Sequence, residues 1–431
     1  MMTKVMRSGM LGLVALLLAA GSARAGGLYL YEIGSPDVGL AAAGYAARAQ
    51  DASTVFTNPA GMTRLQQPSL LAGAQPMYLH MDFSADGNTS REAAKLPGGG
   101  AADDGDSNGW LPAGGMFYVQ PVTDKLWLGL AATGFFGLAL DYQDDWVGRY
   151  YEQEATLQAM MIQPAVAWKV SDQLSIGAGV AVQYGILDEK VAVNNVEPEI
   201  GDGELKVEDE DWTVQFNFGV LCEPVKGTRL GLTYLSAADL DFSDKVKFSG
   251  LGPGLGELLG SGGQTLDLGM TMPQAVMFSL YHEIDNRLAV MANLGWQDWS
   301  EFGKVDVSVN ATNVDAGLTT DLDYQDTWHV ALGAQYRVVE PWLLSAGVAY
   351  DSSMVDEEDL GPSLPVGETW RFAVGTRYDW SQDLTLGAAY ELAWGGDLDM
   401  DIERSPLTGR VSGTYENVAI HFVSLNAEWR F

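Results

Sequence analysis

Trp370-Arg-Phe-Ala-Val-Gly-Thr-Arg-Tyr-Asp-Trp380 sets Trp370, Phe372, Val374, Tyr378 and Trp380 on alternate positions, with Arg371, Arg377 and Asp379 between them. Side chains of a strand point alternately to its two faces, so this stretch has one apolar face and one charged face. Leu174 to Tyr184 repeats the pattern, with Leu174, Ile176, Ala178, Val180, Val182 and Tyr184 against Ser175, Gly177, Gly179, Ala181 and Gln183. So does Trp212 to Val220, where Trp212, Val214, Phe216, Phe218 and Val220 oppose Thr213, Gln215, Asn217 and Gly219. A soluble sandwich can alternate in this way. Aromatic residues at the strand ends of the apolar face favour lipid instead, because they match the girdles found at bilayer interfaces.

Working outward, about fourteen such runs fill the chain from 68–82 to 413–431, each near the ~9–11 residues a tilted strand needs to cross a bilayer. Several open on the same signal: Thr123-Asp-Lys-Leu-Trp-Leu-Gly129, Ser171-Asp-Gln-Leu-Ser-Ile-Gly177 and Ser381-Gln-Asp-Leu-Thr-Leu-Gly387. Each is a tight polar turn followed at once by alternation, as at the short-hairpin rim of a barrel. An even strand number leaves both chain ends at that rim, which is periplasmic in bacterial barrels. The other connections, Ser84 to Gly109, Glu189 to Glu208, Ser236 to Gly269 and Val355 to Gly367, are long, acidic and Gly-rich, as extracellular loops are. The expected fold is all-β: a transmembrane antiparallel β-barrel spanning 68–431.

Residues 1–25 read as a secretory signal, with Lys4 and Arg7 ahead of the apolar run Met10 to Ala20 and a small-residue cleavage site at Ala23-Arg-Ala25. No other apolar run reaches the roughly 18–20 residues of a membrane helix. The formal charge of -33 argues against nucleic acid, whose binding depends on Lys and Arg contacts to phosphate. Cys222 is the single cysteine, so no intrachain disulfide can form.

Between the leader and the first strand, residues 26–67 are Ala/Gly-rich and carry few long apolar side chains. They could fill the inside of a larger structure but hardly fold alone. Within them stand Gly26-Gly-Leu-Tyr-Leu-Tyr-Glu32, Gly39-Leu-Ala-Ala-Ala-Gly-Tyr-Ala46, Asp51-Ala-Ser-Thr54 and Asn58-Pro-Ala-Gly61. In this order, behind a signal peptide and ahead of a barrel-like chain ending in Phe431, these motifs resemble the N-terminal hatch of the FadL/TodX family. That family comprises outer-membrane transporters of long-chain fatty acids and aromatic hydrocarbons. The resemblance implies a hatch inside the barrel lumen, in which Asn58, Pro59 and Ala60 hold the hatch to the wall and help to gate passage. The bare reading of Asn58-Pro59 is an ordinary turn. Asp51 and Arg48 are candidates to pair with charges of the lumen.

The resemblance also implies a kink in the third strand that opens the wall, and Gly129-Leu-Ala-Ala-Thr-Gly-Phe-Phe-Gly137 supplies candidates in Gly137 and its neighbour Gly134. Glycine within a strand marks a bend or a close approach, although barrel strands are glycine-rich in general. An apolar loop, Phe248 to Leu259, offers Leu251, Leu255 and Leu258 for substrate capture or for plain loop packing. Lys190 lies near where the family places a basic partner for a carboxylate. Implied partners are a hydrophobic small molecule, outer-membrane lipid and lipopolysaccharide, with a monomeric barrel and no cofactor. The acidic runs Asp103–Asp106 and Asp356–Asp359 read as solvated loop charge or as oxygen ligands for Ca²⁺, without the full spacing of a calcium-binding helix-loop-helix motif.

Catalysis has little support. His80, His282, His329 and His421 are scattered, and no G-x-S-x-G or H-E-x-x-H motif occurs. The rivals to a hydrophobic transporter are a general diffusion porin, with an open lumen, and an outer-membrane lipid-modifying enzyme.

Overall fold

The structure, a computed structural model, describes residues 29–90, 96, 101–195, 200–259, 265–311, 314–405 and 408–431. The expected leader, 1–25, lies outside them. Fourteen antiparallel strands form one barrel. They are β1 (Ser69–Ala74, continuing as Met77–Ala85), β2 (Gly109–Leu111, continuing as Gly114–Pro121), β3 (Leu126–Asp141) and β4 (Glu154–Lys169). Next come β5 (Leu174–Val193), β6 (Gly203–Val225), β7 (Thr228–Leu235), β8 (Ala275–Glu283) and β9 (Leu288–Gln297). The last are β10 (Thr327–Val339), β11 (Trp342–Asp351), β12 (Thr369–Asp379), β13 (Leu384–Glu403) and β14 (Arg410–Arg430). β1 pairs with β14 from Ser69↔Arg430 and with β2 from Ser69↔Val119, which closes the sheet on itself. Closure pairs the sheet's edges, the condition for a sheet to stand in lipid.

Period-two alternation sorts the side chains between the two sides of the wall. In β6, Trp212, Val214, Phe216 and Phe218 are exposed while Gln215 and Asn217 are buried; in β12, Trp370, Phe372 and Val374 are exposed while Arg371 and Ala373 are buried. Large apolar side chains therefore cover the outside and polar ones line the bore. This inverts a soluble protein and suits a lipid solvent. Among the described residues no helix is long and apolar enough to cross a membrane, so the strands do the crossing.

Short turns such as 170–173 and 380–383 gather at one end, where Phe431 N also donates to Pro68 O. The opposite end is more ordered than the sequence suggests. Strands 238–245, 265–272, 304–311 and 314–321 form a separate four-stranded sheet that continues the β7–β8 and β9–β10 hairpins outward. The barrel ladder ends at Leu235 and a new pairing begins at Ala238, so the alternation from Arg229 to Ser243 belongs to two strands and not to one. Leu240 and Phe242 alternate with Asp239 and Asp241, and both apolar side chains are buried, so the acidic run carries a second apolar face. Likewise β5 and β6 pair as far as Val193↔Gly203, which shortens the expected loop from 189 to 208. One apolar core runs from Tyr29, Val55 and Phe56 inside the bore up to Trp146, Leu240, Trp299 and Leu360 among the outer connections.

Candidate functional site

Residues 29–63 lie inside the bore against the wall, and 64–67 lead out at the short-turn end, where Arg64, Gln66 and Gln67 are exposed. A 3-10 turn over Pro36–Leu40 is capped by Ser35, and a second over Pro59–Arg64 is capped by Asn58, each with proline in its first turn, where a missing N–H costs nothing. Between them stands a single helical turn, Thr54–Thr57. So little regular structure leaves many backbone groups without partners, and buried backbone groups need them. Side chains of the wall supply the bonds. Asn293 Oδ1 accepts from Gly44 N (2.8 Å) while its Nδ2 donates to Ala42 O (2.6 Å). Gln75 does the same for Gly34 N and Glu32 O, Gln163 donates to Val55 O (2.9 Å), and Asn217 donates to Phe56 O (2.5 Å).

Asn58 joins the segment both to itself and to the wall. Its Nδ2 donates to Ala46 O (2.6 Å) and to Val220 O of β6 (3.0 Å), and its Oδ1 accepts from Ala60 N (3.1 Å). Pro59 and Ala60 fit beside it because the wall there has no side chains. Gly177 and Gly219 face each other across the β5–β6 ladder. A Cβ on Gly177 would stand 2.5 Å from Pro59 C and 2.8 Å from Pro59 Cβ, and one on Gly219 would stand 3.0 Å from Asn58 Cγ. The same relation recurs round the bore, with Gly73 against Gly34, Gly231 against Ala46, Gly333 against Ala43 and Gly347 against Leu40. Wall glycines thus form a seat shaped to the segment's backbone.

Charge fixes the seating further. Arg48 bridges Asp37 (3.1 Å) and Asp51 (2.5 Å) within the segment, and Arg377 of β12 reaches Asp51 at 3.6 Å and Glu428 at 3.2 Å. Nearer the outer end, Arg371 binds Glu32 of the segment (2.9 Å), Asp351 (2.6 Å) and Glu391 (3.2 Å). His329 Nδ1 lies 2.7 Å from Asp351 Oδ1, and its ring packs on Tyr31. Buried ion pairs repay little net stability because desolvation opposes them, but breaking one is costly, so they specify position.

The wall is interrupted at β3. Its ladder with β2 runs only from Pro121↔Trp127 to Gly115↔Thr133, and the outer piece of β2, Gly109–Leu111, pairs with β1 alone. On the other side, the β3–β4 register shifts between Gly134 and Phe136. Gly134 borders this bulge, whereas Gly137 is already back in register opposite Gln158. Phe135, the extra residue, turns inward against Tyr29 and Phe56. Leu30 N donates to Phe135 O (2.7 Å) and Tyr29 bridges to Phe136, so the start of the segment stands at the gap. A cavity of about 290 Å³ lies there between Leu30, the turn Leu111–Gly114 and the stretch from Gly134 to Leu138.

At the outer end, Lys190 does not offer a free ammonium: Asp144 (2.7 Å) and Glu154 (2.8 Å) both hold it. Leu251 and Leu255 pack against the apolar core of the outer connections, the latter from the helix Pro253–Leu259. Leu258 belongs to that helix, and its side chain lies outside the described residues. In the connection between β3 and β4, Glu152 is fully buried; burial, with the charge of Glu189 beside it, pushes its carboxyl well above the usual range. Among the described residues no group of three or more His, Cys, Asp or Glu is placed to hold a metal ion.

A closed, lipid-facing barrel filled by its own N-terminal segment matches one family along almost the whole chain. Residues 16–431 fit the family described as "Outer membrane protein transport protein (OMPP1/FadL/TodX)". The chain belongs to this family. Its members are transport proteins of the outer membrane, not enzymes. Outer membrane protein P1 of Haemophilus influenzae (strain ATCC 51907 / DSM 11121 / KW20 / Rd) is 27% identical over 414 residues, 87% of each chain. The long-chain fatty acid transport protein of Escherichia coli (strain K12) is 26% identical over 412 residues, 88% of this chain and 90% of that one. The crystal structure of a Pseudomonas aeruginosa FadL homologue superposes with a TM-score of 0.83 at 20% identity, covering 94% of this chain and 100% of that one. The Ralstonia pickettii toluene transporter TbuX gives 0.67 at 15% identity, covering 93% and 99%. At these identities the solved structures bear on the fold alone.

Sequence reasoning missed the wall residues that hold the segment of this family member. Gln163, Asn217 and Asn293 carried a signal as amides at bore-facing positions of their strands, and Gln75 stands at the break between the two pieces of β1.

Proposed function

We propose that this chain carries hydrophobic compounds, long-chain fatty acids or similar lipophiles, passively across the outer membrane, with residues 26–67 as a hatch and lateral exit through the break at β3. Solutes of this kind are scarce in water and are held back by the polar outer leaflet. A protein that takes them from outside and releases them sideways into the bilayer never has to return them to water.

The observation that carries the reading is the start of the hatch at the gap. Tyr29 and Leu30 bond to the strand whose ladder to β2 has ended, beside a cavity lined by apolar groups of both strands. Movement of the hatch and opening of the wall are therefore mechanically linked. Asn58, Pro59 and Ala60, with Asp51, anchor the hatch at the wall, and Gly134 and Gly137 allow β3 to leave the sheet. Leu251, Leu255 and Leu258 act at the outer mouth, where an apolar solute is first collected. The short-turn end with both ends of the barrel chain faces the periplasm, and one copy acts as a monomer among outer-membrane lipid and lipopolysaccharide. A filled bore speaks against a general diffusion porin, which needs an open aqueous one.

The test is Ala113→Trp, which places a bulky ring in the cavity at the gap. Uptake of labelled oleate and toluene by cells should fall at least fivefold, with heat-modifiable barrel folding retained. Unchanged uptake would remove lateral exit from the account.

A further inference from the structure

We infer that the lumen selects uncharged lipophiles over ionised carboxylates; the inference rests on the transport reading above and names its substrate class. A solute entering from the outer mouth would arrive at the space above the hatch, a small one of about 50 Å³ between Tyr29–Tyr31, strands β9 to β14 and the connection after β11. Arg371 is the guanidinium there, and three carboxylates, Glu32, Asp351 and Glu391, already surround it. Of these, Glu32 and Glu391 are fully buried. The group an anionic substrate would need is thus committed, and its neighbourhood is acidic.

The approach is no better for an anion. Lys190 is held by Asp144 and Glu154, Arg149 by Asp202, and Arg410 by Asp401. Arg404 lies over the Tyr151 ring and beside the buried Glu152. Arg229, whose Nε and Nη2 are buried without a partner, packs on the Tyr281 ring beside Gln50 of the hatch, near the short-turn end and away from the outer mouth. The chain as a whole carries a formal charge of -33. A carboxylate moved into this space loses its water and finds the guanidinium already paired, which disfavours its ionised form. An alcohol or hydrocarbon of the same length escapes that penalty.

Competition between probes of equal chain length tests this. Purified full-length protein in a neutral detergent is incubated at pH 8 with equimolar dodecanoate and 1-dodecanol, and ligand retained after gel filtration is measured by mass spectrometry, corrected with protein-free micelles. The expected ratio of alcohol to acid is at least 10 to 1. A ratio at or below 1 overturns the inference and leaves transport standing, whereas retention of neither probe, with toluene also not retained, overturns both. Glu391→Gln removes one carboxylate from Arg371 and should raise the ratio of dodecanoate to 1-dodecanol retained severalfold. No change in the ratio for a variant that still folds would show that this cluster does not set the preference.

Discussion

Gly177→Ala adds one methyl group where the wall meets the Asn58-Pro59-Ala60 turn. The new Cβ would lie 2.5 Å from Pro59 C and 2.8 Å from Pro59 Cβ, against 3.4–4 Å for ordinary contact. About 1 Å must be found. β5 is bonded to neighbours on both sides over its length, so the turn has to yield rather than the wall. Forcing a methyl group into a packed site costs roughly 1–3 kcal/mol, and that cost falls on the seated state of the hatch. The dislodged state should become roughly 5 to 150 times more populated. In planar bilayers this reads as more frequent open events, and in vesicles as faster swelling in small sugars. Gly109→Ala is the control, because a Cβ there meets nothing within 4 Å. Gly347→Ala, on the opposite wall and 2.8 Å from Leu40 Cα, should behave like Gly177→Ala. If both variants fold into heat-modifiable barrels and conduct no more than Gly109→Ala, the glycine seat has no part in holding the hatch.

Replacing Asn58 and Pro59 together with Ala removes the amide that bonds Ala46 and Val220, and should reduce hydrophobic uptake while leaving heat-modifiable folding intact; unaltered uptake would remove the gating role. Gly137→Val places a branched side chain within about 3 Å of Gln158 and should slow release, measured as ligand retained per barrel after dilution. Arg371→Gln leaves Glu32, Asp351 and Glu391 buried around a neutral group and should cost roughly 3–5 kcal/mol in urea unfolding from vesicles. A loss under about 1 kcal/mol would contradict the reading of this network. Val374→Lys puts a charge on an exposed apolar position of β12 and should cost roughly 2–4 kcal/mol if it sits near the bilayer midplane; no cost would mean that this face does not meet lipid.

The barrel was legible because its signal is local. Alternation in stretches such as Trp370–Trp380 depends only on neighbouring residues and on which solvent lies on each side. The outer sheet was less legible, because Ala238-Asp-Leu-Asp-Phe242 looks like loop charge until it pairs with strand 265–272 and lays Leu240 and Phe242 over Gly185 of β5. The glycine seat was not legible at all. Gly73, Gly177, Gly231 and Gly347 lie on different strands, and only closure of the barrel brings them to the same segment. At β3 the sequence pointed to Gly137 ahead of Gly134, while the ladder breaks beside Gly134. A glycine-rich strand says that a bend is permitted; the loss of a partner strand decides where it falls.

Single-channel recording of the intact chain and of one lacking residues 29–67 tests most directly whether the protein stops its own bore. The intact barrel should stay nearly closed to small ions, and the shortened one, if it still folds, should open to a steady, large conductance. Equal conductance from the two would contradict it.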